Sequence, residues 1–216
     1  MQNTSYKEKI AEILIQIESV KFSFEKPFIL TSGLKSPVYV DCRKIIGFVK
    51  QRTEILKLAR EYFLINNIDF DIIAGGETAG IPYAAFLSEQ LKKQMIYVRK
   101  KPKGFGKNQQ IEGSFKNGQK ALLVEDLATD GGSKILFVKA MRDAGLKVND
   151  VFVIFYYDIF DYQNSPLFDL NVKIHSLCTW KNIISIIEKN NLYNSNEISN
   201  LKLFLTEPEN WRKKNE

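Results

Sequence analysis

The chain predicts an α/β domain with a central, mostly parallel sheet and helices on both faces, and three observations carry that expectation. Short apolar runs without polar alternation recur at Asp71–Ala74, Met95–Val98, Ala121–Val124 and Val148–Tyr157. Such runs suit strands buried on both faces. Helical patterns separate them, as the crossovers of a parallel sheet require. Two of the runs end in glycine-rich turns, Gly75-Gly76-Glu77-Thr78-Ala79-Gly80 and Thr129-Asp130-Gly131-Gly132-Ser133. By strand-end logic both turns belong on one edge of the sheet.

Residues Thr4 to Val20 read as a first helix, with Ile10, Ile13, Leu14 and Ile17 at helical spacing. From Lys21 to Arg43 the pattern turns to short strands broken by Thr31-Ser32-Gly33 and Ser36-Pro37, a small hood beside the sheet. A helix over Gln51 to Asn66 leads into the first strand, and the next helix starts near Ile81-Pro82, where proline suits the first turn. Beyond the central strands, Val172 to Cys178 reads as a strand. Thr179 to Lys189 and Glu197 to Leu205 read as helices, and Trp211 with the basic tail Arg212 to Lys214 is left to dock or fray.

With 216 residues, 44% of them apolar, the chain can bury one substantial core, and residues 1–216 are expected to form a single domain. No apolar run is long enough to cross a membrane. The amino terminus carries Glu8 and Glu12 among its apolar residues, which makes it an amphipathic helix and not a signal peptide. A cytoplasmic protein without a membrane partner is the expectation. Cys42 and Cys178 are too few for a disulfide framework, and the single histidine, His175, sits in an apolar strand as a core residue. A net charge of +6 and a pI near 9.1 call for an anionic partner, whose kind the distribution of charge must decide.

Chemistry concentrates in Lys120 to Ser133, KALLVEDLATDGGS. An apolar strand closes on Glu125 and Asp126, and a Gly-rich turn then opens a helix with Ile135, Val138 and Met141 on one face. Glycines let a backbone approach an anion, and a helix start favours phosphate. Paired carboxylates add acceptors for a diol or for hydrated Mg2+. A ribose 5-phosphate meets both halves. The segment lacks the Gly-Lys-Ser/Thr of a Walker loop, and its acids precede the glycines, unlike a dinucleotide fingerprint. The turn after Ala74 offers a second cradle, suited to pyrophosphate. Between the two lies a cationic stretch in which Arg99, Lys100, Lys101, Lys103 and Lys107 are broken by Pro102, Gly104 and Gly106. Such a stretch makes no core element, but over a departing pyrophosphate it would neutralise charge and exclude water. Only Phe105 interleaves the cations, a thin case for nucleic acid.

The strand, acid pair and Gly-rich turn of Lys120 to Ser133 resemble the signature of the type I phosphoribosyltransferases. Phe28, Leu30, Ser32-Gly33, Lys35-Ser36-Pro37, Tyr39, Asp41 and Arg43 are similar to the amino-terminal pattern of their pyrimidine branch, the orotate phosphoribosyltransferases. The loop VRKKPKGFGKNQQIEG is similar to that branch's mobile catalytic loop, at residues 99–112 here. The resemblance implies the type I fold with residues 21–43 in its hood. It implies conversion of orotate and 5-phosphoribosyl 1-diphosphate to orotidine 5'-phosphate and diphosphate in pyrimidine (UMP) biosynthesis. It makes Lys103, Arg99, Lys100 and Asp126 the catalytic residues. Substrate would be bound by Lys35, by Gly75, Gly76, Glu77 and Thr78, and by Glu125, Leu127, Ala128, Thr129, Asp130, Gly131, Gly132 and Ser133. The implied cofactor is Mg2+, held mainly by substrate and water near Glu125 and Asp126 with no direct side-chain ligand. The implied assembly is a homodimer that shares loop 99–112 between subunits.

Two departures stand out. Phe105 replaces the histidine that many members carry before the glycine, and no arginine follows Asp158 to grip the orotate carboxylate. That carboxylate would be met by backbone near Ser32 to Lys35, by Lys35, by Arg43 or by Thr129. Two other activities share the sugar motif: a purine-base phosphoribosyltransferase, and a non-catalytic regulator that senses the diphosphate sugar and binds RNA.

Overall fold

The computed structural model describes residues 6–30, 33–102, 110–129, 131–159 and 162–215. It forms two compact units, one of Met1–Gln51 with Cys178–Glu216 and one of Arg52–Leu177.

The first unit opens with helix α1 (Tyr6–Gln16), which buries Ile10, Ala11, Ile13 and Leu14. The expected helix to Val20 stops early. Glu18 takes φ +53°, Ser19 N–H closes the turn on the Leu14 carbonyl at 2.9 Å, and Val20 is drawn into a ladder. Strand β1 (Val20–Phe22) pairs antiparallel with β4 (Val38–Val40), and β2 (Phe28–Ile29) with β3 (Lys35–Ser36). Asp41 then caps a 3-10 helix, Cys42–Gly47, by accepting from Arg43 N–H. Helix α2 (Val49–Ile65) carries the chain into the second unit.

There the order is β5 (Ile72–Gly76), α3 (Gly80–Leu91), β6 (Gln94–Val98), β7 (Ile111–Glu112) and β8 (Lys120–Ala128). It continues with α4 (Gly132–Asp143), β9 (Lys147–Tyr156), the short α5 (Pro166–Asp169) and β10 (Lys173–Thr179). The six strands lie in the order β10-β9-β8-β5-β6-β7. Pairs β5/β6, β5/β8 and β8/β9 are parallel, and the short β7 returns antiparallel on β6.

Alternation along the strands feeds two cores. Ala121, Leu123, Val151 and Val153 face Phe137, Val138 and Met141 of α4. Phe152, one residue out of that phase, meets Phe63 of α2 with ring centroids 4.7 Å apart. Helices therefore cover both faces, and each large side chain buried this way contributes roughly 1.5–3 kcal/mol. His175 is a satisfied core residue. Its Nε2 lies 2.7 Å from Asp150 and its Nδ1 lies 3.2 Å from the Tyr62 hydroxyl.

The chain closes in the first unit with α6 (Trp180–Lys189), α7 (Ser195–Thr206) and α8 (Pro208–Lys214). Asn194 and Glu197 form a capping box that starts α7 two residues before the expected Glu197. Trp211 docks: it is fully buried, its indole N–H donates to Asn200, and its ring meets Phe204 edge-on at 5.2 Å. Cys42 and Cys178 are free and buried, and burial pushes the Cys178 thiol well up.

Candidate active site

The parallel strands β5, β6 and β8 bring their carboxyl ends to one edge. Gly76 of β5 lies opposite Val98 of β6, and Gly75 opposite Val124 of β8. The expected glycine turn begins later than the sequence suggests, because Gly75 and Gly76 are the last strand residues and both are buried. Protein atoms take up the space of their missing side chains. A Cβ on Gly75 would meet the Ile81 Cα at 2.8 Å, and one on Gly76 would meet Glu125 Oε1 at 1.7 Å. These glycines therefore admit a helix and a carboxylate against the strand. What the edge presents outward is Glu77 and the exposed Thr78, joined by a cis peptide.

Glu77 also holds the root of the cationic loop. Its backbone N–H donates to the Val98 carbonyl at 2.9 Å, and its Oε2 accepts the Lys100 backbone N–H at 2.7 Å. Arg99 is fastened to the returning end of the loop. Its N–H donates to the Gln110 carbonyl at 2.8 Å, its carbonyl accepts from Gln110 Nε2 at 2.7 Å, and its guanidinium lies 3.8 Å from Glu112. Lys103 and Phe105, central to the expected lid, lie outside the described residues, as does Asp130.

The acid pair is arranged differently from the expectation that it closes the strand. Strand β8 runs on through Glu125, Asp126, Leu127 and Ala128 because β9 extends beside it, pairing Glu125 with Val153 and Ala128 with Tyr156. Tyr157 N–H then donates to the Ala128 carbonyl at 2.9 Å. Consecutive strand residues project to opposite faces. Glu125 thus continues the Ala121 and Leu123 face towards Phe137, while Asp126, half-buried, belongs to the other.

Glu125 is 5% exposed, and its Oε2 lies 3.6 Å from the Nζ of Lys134, itself 6% exposed. Its Oε1 is buried without a hydrogen-bond partner. Burial raises the Glu125 carboxyl to about 7, against the opposing pull of Lys134 and with a further push from Asp126. Lys134 was not among the expected site residues, although the sequence carries a signal for it. Lys134, Phe137, Val138 and Met141 follow the i, i+3, i+4, i+7 spacing of one buried helix face.

The turn expected to take phosphate has Gly131 at φ +86°, a conformation that favours glycine, as the cap of α4. Ala128 and Gly131 are buried, Leu127 and Gly132 are half-buried, and Thr129 and Ser133 are exposed. The remaining expected binder, Lys35, belongs to the first unit, where its ammonium donates to the Asn215 carbonyl at 2.7 Å. Its own carbonyl accepts from Arg212 at 3.2 Å. Asp158, after which the family arginine is missing, sits at φ +53°.

Among the described residues no three His, Cys, Asp or Glu side chains converge as a metal cage. Asp126 is nonetheless an oxygen donor of the kind Mg2+ takes, and a single carboxylate suits an ion that keeps most of its shell as water and substrate phosphate, while Glu125, buried on the opposite face, is engaged by Lys134. The donor set fits the group on those terms.

Comparison with known proteins agrees with this geometry. No protein-family model matches the chain. It is 44% identical over 207 residues to orotate phosphoribosyltransferase of Roseobacter denitrificans, covering 95% of this chain and 92% of the relative. It is 41% identical over 210 residues to the enzyme of that name from Rhizobium rhizogenes, covering 96% and 90%. The crystal structure of orotate phosphoribosyltransferase from Aeropyrum pernix superposes with a TM-score of 0.71 at 29% identity, covering 86% of this chain and 99% of that one.

Proposed function

This chain belongs to the orotate phosphoribosyltransferase family, and from that premise we propose how its sheet edge carries out the transfer of a phosphoribosyl group from 5-phosphoribosyl 1-diphosphate to orotate. The reaction yields orotidine 5'-phosphate and diphosphate, a step of pyrimidine biosynthesis. The observation that carries the assignment of parts is the 2.7 Å bond from Lys100 N–H to Glu77, which ties the turn after β5 to the root of the cationic loop on the edge where β8 also ends.

The turn after Ala128 receives the 5-phosphate through the backbone of Thr129 to Ser133, and a helix start there favours the anion. Asp126 accepts from the ribose hydroxyls, and Glu125, buried on the other face of β8, is kept as a second substrate contact on the strength of the family resemblance. Glu77 and Thr78 border the diphosphate. At the ribose C1 the bond to the base nitrogen forms as the bond to the diphosphate oxygen breaks, with inversion and positive charge developing on the sugar, and the proton of that nitrogen passes to the departing diphosphate or to solvent. Arg99, Lys100 and Lys103 meet the charge that gathers on the leaving diphosphate. When bound, Mg2+ supplies further positive charge to that group, held by substrate and water near Glu125 and Asp126. No nucleophilic side chain is required, so no covalent enzyme intermediate forms.

Lys35 is kept as a substrate contact on the strength of the family resemblance. The reading also includes a homodimer whose loop 99–112 serves the neighbouring site, and a cytoplasmic enzyme, in keeping with the amphipathic α1. Following orotate absorbance with Mg2+ and 5-phosphoribosyl 1-diphosphate tests it directly. A decrease that depends on both is expected, and its absence with orotate alongside turnover of a purine base would overturn the assignment.

A further inference from the structure

Lys134 has no task in the reaction as just described, yet it occupies a position that lysine rarely takes. It is 6% exposed on the apolar face of α4, where a leucine or methionine would ordinarily pack. Its ammonium reaches two parts of the site at once. It donates to the Ser133 hydroxyl at 3.1 Å and lies 3.6 Å from Glu125 Oε2. The other oxygen of that carboxylate, Oε1, is buried without a partner and lies 1.7 Å from where a Cβ on Gly76 would stand. A buried acceptor left bare is unfavourable unless something completes it.

We propose that Lys134 is a positioning residue of the phosphoribosyl site, its ammonium joining Glu125 on β8 to Ser133 at the head of α4 so that sugar acceptor and phosphate turn are held as one piece. By taking Oε2, it leaves the buried Oε1 as the carboxylate oxygen without a protein partner among the described residues. The inference rests on the phosphoribosyl reading of this edge.

Lys134→Met tests it, since methionine keeps the unbranched stem without the charge. Calorimetry with 5-phosphoribosyl 1-diphosphate and Mg2+ should show binding weakened by about 10- to 100-fold, the range found when a supporting contact to a site group is lost. The KM for orotate should stay within about twofold, because that contact is not made through Glu125. The double variant Glu125→Gln/Lys134→Met leaves no buried charge unpaired, so it reports even where the single variant fails to fold. It should bind no more weakly than Glu125→Gln alone, as expected when one residue acts through the other. Unchanged affinity in Lys134→Met, whatever its melting temperature, would overturn the proposal. So would a double variant that loses the product of the two single effects. Wild-type turnover of orotate in the same series reports on the function separately from these comparisons.

Discussion

Glu125→Gln measures how much the buried acid takes from the stability of the fold. The carboxyl takes its proton at about 7 in the folded chain, mainly through burial, against an ordinary value of 4.5. Between those two values the folded state binds more protons than the unfolded chain, so stability is highest below about 4.5 and falls as pH rises towards 7. The window corresponds to about 3 kcal/mol. With only 5% of Glu125 exposed, solvent screening removes little of it.

For a chain of this length each 1 kcal/mol moves the melting temperature by roughly 2–4 °C, so this one group should depress it by about 6–12 °C between pH 4 and pH 8. Glutamine has the shape of the protonated acid and does not titrate. Glu125→Gln should therefore come close to the wild type near pH 4 and exceed it at pH 8. The measurement is a pair of thermal melts across that range, and the quantity of interest is the difference between the two slopes. Equal slopes in the two proteins would show that Glu125 keeps its charge in the fold without penalty, and the electrostatic account of the site would fail.

Three further outcomes are expected. Gly76→Ala would place a methyl 1.7 Å from Glu125 Oε1 and 2.9 Å from Phe137 Cε2. An overpacked core of this kind loses about 1–3 kcal/mol, visible as a lowered denaturant midpoint, and an unchanged midpoint would contradict the packing described for that strand end. Lys103→Ala should lower turnover by about 10^2-fold, the size of a lost oxyanion contact. Mixing it with a Glu125→Ala/Asp126→Ala chain should restore activity if the loop serves the neighbouring subunit, and no recovery would argue for a self-contained site. Trp211→Ala empties a fully buried position and removes the donor to Asn200, so the first unit should lose about 3–5 kcal/mol in a urea melt. A loss below ~1 kcal/mol would show α8 to be only loosely attached.

Much of this molecule can be read from neighbours in the chain. Apolar runs such as Leu122-Leu123-Val124 and turn residues such as Gly131 act over a few positions, so the alternation of strand and helix and the edge bearing both turns follow from local chemistry. What local chemistry cannot supply is the partner across space. Strand β8 carries on past Glu125 only because β9 is there to pair with it, and that continuation sends the two acids to opposite faces. Gly75 and Gly76, which resemble a flexible turn in the sequence, are strand residues because Ile81 and Glu125 fill the room their side chains would need. Lys134 falls at a buried position of the α4 pattern, yet its purpose shows only when the carboxylate nine residues earlier is brought beneath it. A buried charge is tolerable only where its counter-charge stands within a few ångströms, and such a distance is settled when separate elements pack against one another.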